Sequence, residues 1–257
     1  MSVGAQCRQG RRAGRPPAGR YSPPVLVVGF PAQAFDTNCY VVAPAPGEEC
    51  LVVDPGIGVE DHLEEVLREH RLRPVAVLLT HGHLDHVFSV TPVCGARGVP
   101  AYIHSDDRSR LTDPTATFGP VLSQMFGGAL EWSEPDDVLE LSDGMRLQLA
   151  GLDLVVDHAP GHTEGSVLFR SDPAVPSGDE PPYCLSGDVL FAGSIGRTDL
   201  PGGDSAAMVR SLRERILPLA DETVVLPGHG PRTTIGRERV SNPFLVELGT
   251  TPPTRGV

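Results

Sequence analysis

The stretch that most restricts this chain is residues 75–86, Val-Ala-Val-Leu-Leu-Thr-His-Gly-His-Leu-Asp-His. Its five leading apolar residues, Val75–Leu79, form a short continuous run of the kind found in strands buried on both faces. Four side chains of metal-ligand type, His81, His83, Asp85 and His86, follow at once. Imidazole nitrogen and carboxylate oxygen suit divalent metals such as zinc, iron or manganese. His81 and His83, at i and i+2, project to the same side of an extended segment. Asp85 and His86 fall at the turn into the next element and can face a second position. A histidine-rich surface loop is the plain alternative, and the density of ligands straight after a buried strand argues against it.

Three further segments strengthen the reading. Ala159-Pro160-Gly161-His162-Thr163-Glu164-Gly165-Ser166 puts one histidine in a glycine-flanked turn after a strand. Ser186-Gly187-Asp188-Val189 puts an aspartate at a strand end, and Leu226-Pro227-Gly228-His229-Gly230 adds a last histidine. Each segment alone is weak. Together they all sit at strand C-termini, and such ends converge on one edge of a packed sheet core.

The ordered set His-x-His-x-Asp-His, Gly-His-Thr, Gly-Asp and Gly-His-Gly resembles the metallo-β-lactamase superfamily of hydrolases. Its spacing, with Gly196-Arg197-Thr198-Asp199 and Asn242-Pro243-Phe244-Leu245, looks most like the short, single-domain branch of the hydroxyacylglutathione hydrolase (glyoxalase II) group. The resemblance covers roughly residues 25–247. It implies an α+β fold, the four-layered αβ/βα metallo-β-lactamase sandwich, with metals at one edge of two sheets. It also implies two divalent metal ions, zinc foremost, with iron or manganese as alternatives. His81, His83 and His162 would hold one ion and Asp85, His86 and His229 the other, with Asp188 bridging. Asp54 stands where the superfamily has a supporting acid near the site; a turn-making aspartate before Pro55 is the other reading. Two cations about 3.5–4 Å apart lower the pKa of a shared water. Asp85 and Asp188 would orient that nucleophile towards a thioester carbonyl. Thiolate leaves readily, so no strong side-chain acid is required.

In glyoxalase II proteins a basic residue at the position of Arg197 contacts a carboxylate of the glutathione moiety, and an arginine fork suits that role. The competing reading is an ion pair with Asp199, which replaces the group's aromatic residue. Only residues 230–257 follow the last histidine, where full-length relatives carry a helical domain that binds the glutathione tail. The carrier is therefore glutathione or another small thiol. A second class of function is a persulfide dioxygenase, whose relatives share Gly-Arg-Thr-Asp and hold one iron, here through His81, His162 and Asp188. The intact set Asp85, His86 and His229 favours two metals. A phosphodiesterase or nuclease is a third reading, and a flavodiiron-type oxidase would want Glu where His83 stands.

Composition narrows the partners. The chain has 257 residues and a formal net charge of −12, and every basic residue is arginine. Five arginines, Arg8, Arg11, Arg12, Arg15 and Arg20, lie in an acid-free stretch at the start, which leaves the remainder more acidic still. Such a body repels phosphate backbones, so nucleic acid is not the expected partner. No apolar run reaches the roughly 18–20 residues of a membrane span. Residues 1–24 read as a disordered Arg/Gly/Pro-rich tail without a signal-peptide h-region. Residues 25–247 read as the hydrolase domain and 248–257 as a loose end. Cys7, Cys39, Cys50, Cys94 and Cys184 are odd in number and lack C-x-x-C spacing, which points to packing roles in a reducing, cytoplasmic compartment. The expected partner is a small-molecule thioester, and no oligomeric state is specified.

Local patterns predict strands at Val25–Phe30, Cys39–Val42, Cys50–Asp54, Val75–Leu79 and Val99–His104. A hairpin is expected at Met145–Ala150 and Leu152–His158, then strands at Ser166–Arg170, Tyr183–Ser186 and Thr223–Leu226. Helices are expected at Glu60–His70 and Ser205–Leu217. Asp113–Asp137, which includes Trp132, reads as a long irregular connection. His62 and His70 read as solvated, and His104 and His158 as packing or capping residues.

Overall fold

The computed structural model describes residues 25–113, 133–172, 174 and 180–250. Strands β1 (Leu26–Pro31), β2 (Asn38–Ala43), β3 (Glu49–Val53), β4 (Arg73–Leu78), β5 (Ala101–His104) and β6 (Val138–Leu141) form one sheet in that order. A second sheet runs β7 (Arg146–Leu149), β8 (Leu152–His158), β9 (Val167–Ser171), β10 (Tyr183–Gly187), β13 (Val224–Pro227) and β14 (Thr233–Thr234). A small ribbon, β11 (Leu190–Phe191) with β12 (Ser194–Ile195), falls between β10 and β13 in sequence.

Helices α1 (Glu60–His70), α2 (Leu84–Val87) and α3 (Val90–Gly95) belong to the first half of the chain. Helices α4 (Ser205–Ser211), α5 (Ile235–Ser241) and α6 (Pro243–Thr250) belong to the second. Strands β3, β4, β5 and β6 pair in parallel, as do β10 and β13. Parallel neighbours need long crossovers, which α1 to α4 help to supply.

Three cores define four layers. Val77 and Leu79 pack with α1 residues Leu63, Val66 and Leu67 on the outer face of the first sheet. Ala76 and Leu78 point the other way, into the space between sheets, where they join Tyr40, Leu51, Val156 and Phe169. β4 is thus buried on both faces, as its unbroken apolar run predicts. On the outer face of the second sheet, Leu168, Cys184 and Val225 pack with Met208, Leu212, Ile235 and Leu245. The result is the expected four-layered αβ/βα sandwich.

The helices form for local reasons. Leu63, Val66 and Leu67 are buried at i, i+3 and i+4, with Glu60 and Asp61 in the first turn and Arg68 and His70 in the last. That charge order complements the helix dipole. Asp204 caps α4 by accepting from the Ala206 and Ala207 amides.

Several boundaries differ from the sequence patterns. The predicted helix Ser205–Leu217 is α-helical only to Ser211 and continues as a π-type turn over Leu212–Ile216. That turn keeps Leu212 and Ile216 in the third core. β6 has no counterpart among the predicted strands; it is short and its residues Leu139 and Glu140 are exposed, but parallel pairing with β5 makes it the sheet edge. The final helix carries the chain to Thr250, past the expected boundary at 247, because Leu245 and Leu248 pack on the third core. The predicted tail 1–24, most of the irregular stretch 113–137 with Trp132, residues 173 and 175–179 of the loop 171–182, Cys7 and residues 251–257 lie outside the described residues. Cys39, Cys50, Cys94 and Cys184 are buried and free, and burial pushes the thiols of the last three up to about 12. Among the described residues, no helix is long and apolar enough to cross a membrane.

Phe169 is fully buried between the sheets. Phe169→Ala is expected to reduce the unfolding free energy by about 3–5 kcal/mol. Urea unfolding at unchanged m-value would show it; a loss below about 1 kcal/mol would mean that the inter-sheet core closes over the missing ring.

Candidate metal centre

The candidate ligands come from the loops that leave the strand ends. The loop after β4 delivers His81 and His83, and α2 delivers Asp85 and His86. The turn after β8 carries His162. Asp188 directly follows β10, and His229 lies just past β13. Gly161 makes the turn at His162 possible: its φ is +141°, and a Cβ there would strike the Met208 backbone.

These loops meet. His81, His83 and His162 form one group whose donor atoms lie within 4.8 Å of one another; Asp85, His86 and His229 form another. The ring centroids in the first group are 4.5–4.8 Å apart. Asp188 spans the two groups. Its Oδ2 lies 3.4 Å from His162 Nε2 and 3.5 Å from His229 Nε2, and its Oδ1 lies 3.4 Å from His86 Nε2. Asp85 Oδ2 is 3.2 Å from His229 Nε2 and accepts a hydrogen bond from Thr37 Oγ1 at 2.9 Å.

An outer layer of oxygens sets the ring orientations. His86 Nδ1 faces Asp54 Oδ2 at 3.0 Å, and His81 Nδ1 faces Thr80 Oγ1 at 3.1 Å. His162 Nδ1 donates to the Arg197 carbonyl at 2.8 Å, and His229 Nδ1 to the Phe35 carbonyl at 3.1 Å. Each contact occupies Nδ1 and leaves Nε2 turned inward, the arrangement typical of metal-binding histidine. His83 is turned the other way, with Nδ1 2.8 Å from His162 Nε2.

Asp54 also accepts from the Thr80 amide at 2.8 Å and the Thr80 hydroxyl at 2.6 Å. It therefore ties β3 to the ligand loop as well as supporting His86. Its φ of 50° is a conformation that a non-glycine residue adopts only under constraint.

Burial and charge divide the cluster. In the three-histidine group, burial and neighbouring imidazoles push His81 and His83 down, His83 to about 3, so both are neutral. In the other group, burial opposes charge and is outweighed. The carboxylates of Asp188, Asp85 and Asp54 raise His86, while Asp85 and Asp188 raise His229. Reciprocally, burial would lift Asp85 and Asp188, but His86 and His229 hold both below the usual carboxylate range.

The residues fit two divalent cations. His81 Nε2, His86 Nε2 and Asp188 Oδ1 are buried and have no hydrogen-bond partner among the described residues. Such atoms are costly unless something satisfies them. Three imidazoles on one side and Asp/His/His on the other, with a shared carboxylate between, form a borderline-to-hard donor set.

All the candidate ligands and Asp54 gather at this edge. Arg197 comes here through its backbone, while its exposed guanidinium forks onto Asp199, at 2.7 and 2.8 Å. His104 and His158 stay outside the cluster and stack on each other, 4.0 Å apart and nearly parallel. A cavity of about 690 Å³ opens elsewhere, among Val25, Val27, Tyr40, Tyr183 and Val224, and contains none of the ligands.

Sequence reasoning assigns no role to Thr37, Thr80 or Phe35. Only Thr80, adjacent to the histidine run, carries a positional signal. The others act through contacts between segments distant in sequence.

Comparison with known proteins identifies the family. The family model of the metallo-beta-lactamase superfamily matches residues 32–229. The hydroxyacylglutathione hydrolase GloC of Haemophilus influenzae is 35% identical over 217 residues, which span 84% of this chain and 96% of that protein. Among solved structures, the BLEG-1 B3 metallo-beta-lactamase is 38% identical with a TM-score of 0.73, covering 86% of this chain and 99% of that one. TTHA1623 in a di-iron-bound form is also 38% identical, with a TM-score of 0.69 and coverage of 85% and 100%. With its ligand loops on the ends of a four-layered sandwich, the chain belongs to the metallo-beta-lactamase superfamily.

Proposed function

We propose that this protein is a binuclear metal-dependent hydrolase that cleaves thioesters of the hydroxyacyl-glutathione type, or of another small thiol. The observation that carries the reading is the pair of ligand sets joined through Asp188. A centre for one cation needs only one set. Similarity to GloC supports the thioester class, and the di-iron form of a 38% identical structure supports two ions. Zinc is the first candidate, with iron and manganese next.

Held by His81, His83 and His162 on one side and Asp85, His86 and His229 on the other, two divalent cations would supply Lewis acidity, the chemistry that brings the pKa of water towards about 7 and polarises an acyl oxygen. The protein's own groups do the positioning. Asp85, steadied by Thr37, and Asp188, shared between both sets, present carboxylate oxygens that accept from an attacking water and fix its direction. Burial of the ligand cluster limits competing water. A thiolate leaves without a proton, which fits a site whose histidines and aspartates are already committed to the cluster. A substrate carboxylate can take the place of Asp199 on the Arg197 fork, since exposed ion pairs exchange at little cost. The free, buried cysteines support a reducing, cytoplasmic setting, and the acidic composition argues against nucleic acid as a partner.

Metal content of untagged, chelator-free protein, measured by mass spectrometry, is expected to be about two ions per chain. Turnover is then compared on hydroxyacyl thioesters of several small thiols and on a chromogenic β-lactam, with a thioester expected to be fastest. One iron per chain with persulfide-dependent oxygen uptake would replace this reading by a dioxygenase. Preference for the lactam would move the substrate class to that named for BLEG-1.

His83→Ala is expected to abolish hydrolysis and lower metal content, and unchanged turnover in metal-replete buffer would remove His83 from the centre. Arg197→Ala is expected to raise KM several-fold for a carboxylate-bearing thioester while leaving kcat nearly unchanged. Equal falls in kcat and kcat/KM would instead put the guanidinium in the transition state.

A further inference from the structure

Asp107 is fully buried, yet it belongs to none of the ligand groups. It lies on a short 3₁₀ helix, Ser105–Leu111, that follows β5 and is capped by His104, whose Nδ1 accepts from the Asp106 amide. Its carboxylate accepts four hydrogen bonds from three separate parts of the chain. Oδ2 accepts from the Gly82 amide at 2.8 Å and the Thr163 hydroxyl at 2.7 Å. Oδ1 accepts from the Gly165 amide at 3.0 Å and from Arg110 Nε at 3.2 Å.

The donors are informative by position. Gly82 lies between His81 and His83, and Thr163 directly follows His162. One carboxylate therefore holds both loops that carry the three-histidine set. The approach is tight: a Cβ on Gly165 would collide with Asp107, so the 161–166 turn closes directly onto the acid. Ser166 completes the arrangement, with its Oγ 2.8 Å from Thr163 Oγ1 and accepting from the Thr163 amide at 3.1 Å. Asp54 plays the corresponding part on the other side, through His86 and Thr80.

We propose that Asp107 is a positioning residue for the three-histidine site: it fixes the spacing of His81 and His83 against His162, so that this site binds its cation in a preformed geometry. The inference rests on the binuclear reading above. A buried carboxylate accepting four donors is worth far more to the loops than an amide. An asparagine in its place would turn an N–H₂ group towards donors and leave some of them unpaired. The effect on the cation passes through ligand placement, and loss of such outer contacts typically weakens metal affinity about 10–100-fold.

The test is titration of metal-free protein with Co²⁺, followed by the visible absorption of the bound ion. Wild-type protein is expected to take up two ions. Asp107→Asn is expected to weaken one of the two binding steps about 10–100-fold, alter the absorption of that step and leave the other unchanged. Thr163→Val removes a single arm of the clamp and is expected to shift the same step in the same direction by less, which keeps the test decisive should the asparagine variant fold poorly. Glu238→Gln is the matched control. Glu238 is equally buried and holds Gly193, Thr233 and Asn242, so it should lower stability without moving either step.

Wild-type protein that binds two ions while Asp107→Asn and Thr163→Val match it in both steps would overturn the role of Asp107 alone. Wild-type protein that binds fewer than two ions would overturn the binuclear reading and this inference with it. Equal weakening of both steps, or a similar shift in Glu238→Gln, would overturn the positioning role by showing that Asp107 acts through general stability.

Discussion

Five imidazoles and two carboxylates are gathered at the edge of an apolar sandwich, and most of them are almost out of reach of water. Buried polar groups are expensive unless paired, so much of the surrounding structure consists of pairing them. Thr80, Asp54 and the carbonyls of Arg197 and Phe35 each occupy a ring nitrogen. The inward-facing atoms left over, His81 Nε2, His86 Nε2 and Asp188 Oδ1, converge on common space. The same hydrogen bonds that make burial tolerable also orient the donors for cations.

The sandwich makes this convergence possible. Ligand-bearing strands of both sheets end at one edge, and the first sheet grips the last ligand loop of the second. Asn38 donates to the carbonyls of Pro227 and Gly230, and the Tyr40 hydroxyl donates to Pro227. Thr37 pairs with His229 across an isolated bridge. His229 is thus fixed relative to Asp85 by side-chain and backbone contacts between the two halves of the chain. Local strain, such as the left-handed backbone at Asp54, is tolerated because three apolar cores hold the frame around it.

Charge separates the two ligand sets chemically. His81 and His83 are neutral in a tight imidazole cluster, whereas the carboxylates of Asp54, Asp85 and Asp188 favour the charged forms of His86 and His229. One half is therefore a set of neutral nitrogen donors and the other a network of compensated charges. Asp188 touches both, which explains why a single aspartate after β10 links the sites. At the rim of this edge Arg197 and Asp199 pair with both side chains exposed to solvent.

The amino-acid sequence by itself determined the ligand types, the buried strand before them and the helix Glu60–His70, because these depend on local periodicity and on residues adjacent in the chain. It also carried the ordered motif set from which the family and the four-layered fold follow. Tertiary structure alone decided that Arg197 engages His162 through its carbonyl and that Asp107 clamps two loops. In sequence Asp107 is one acid in a charged run, Asp106-Asp107-Arg108, indistinguishable from a solvated surface. Its burial follows from the packing of the 3₁₀ helix against loops tens of residues away. β6 and the π-type turn were hidden for the same reason: pairing with β5 and packing of Leu212 and Ile216 are long-range effects that no local pattern encodes.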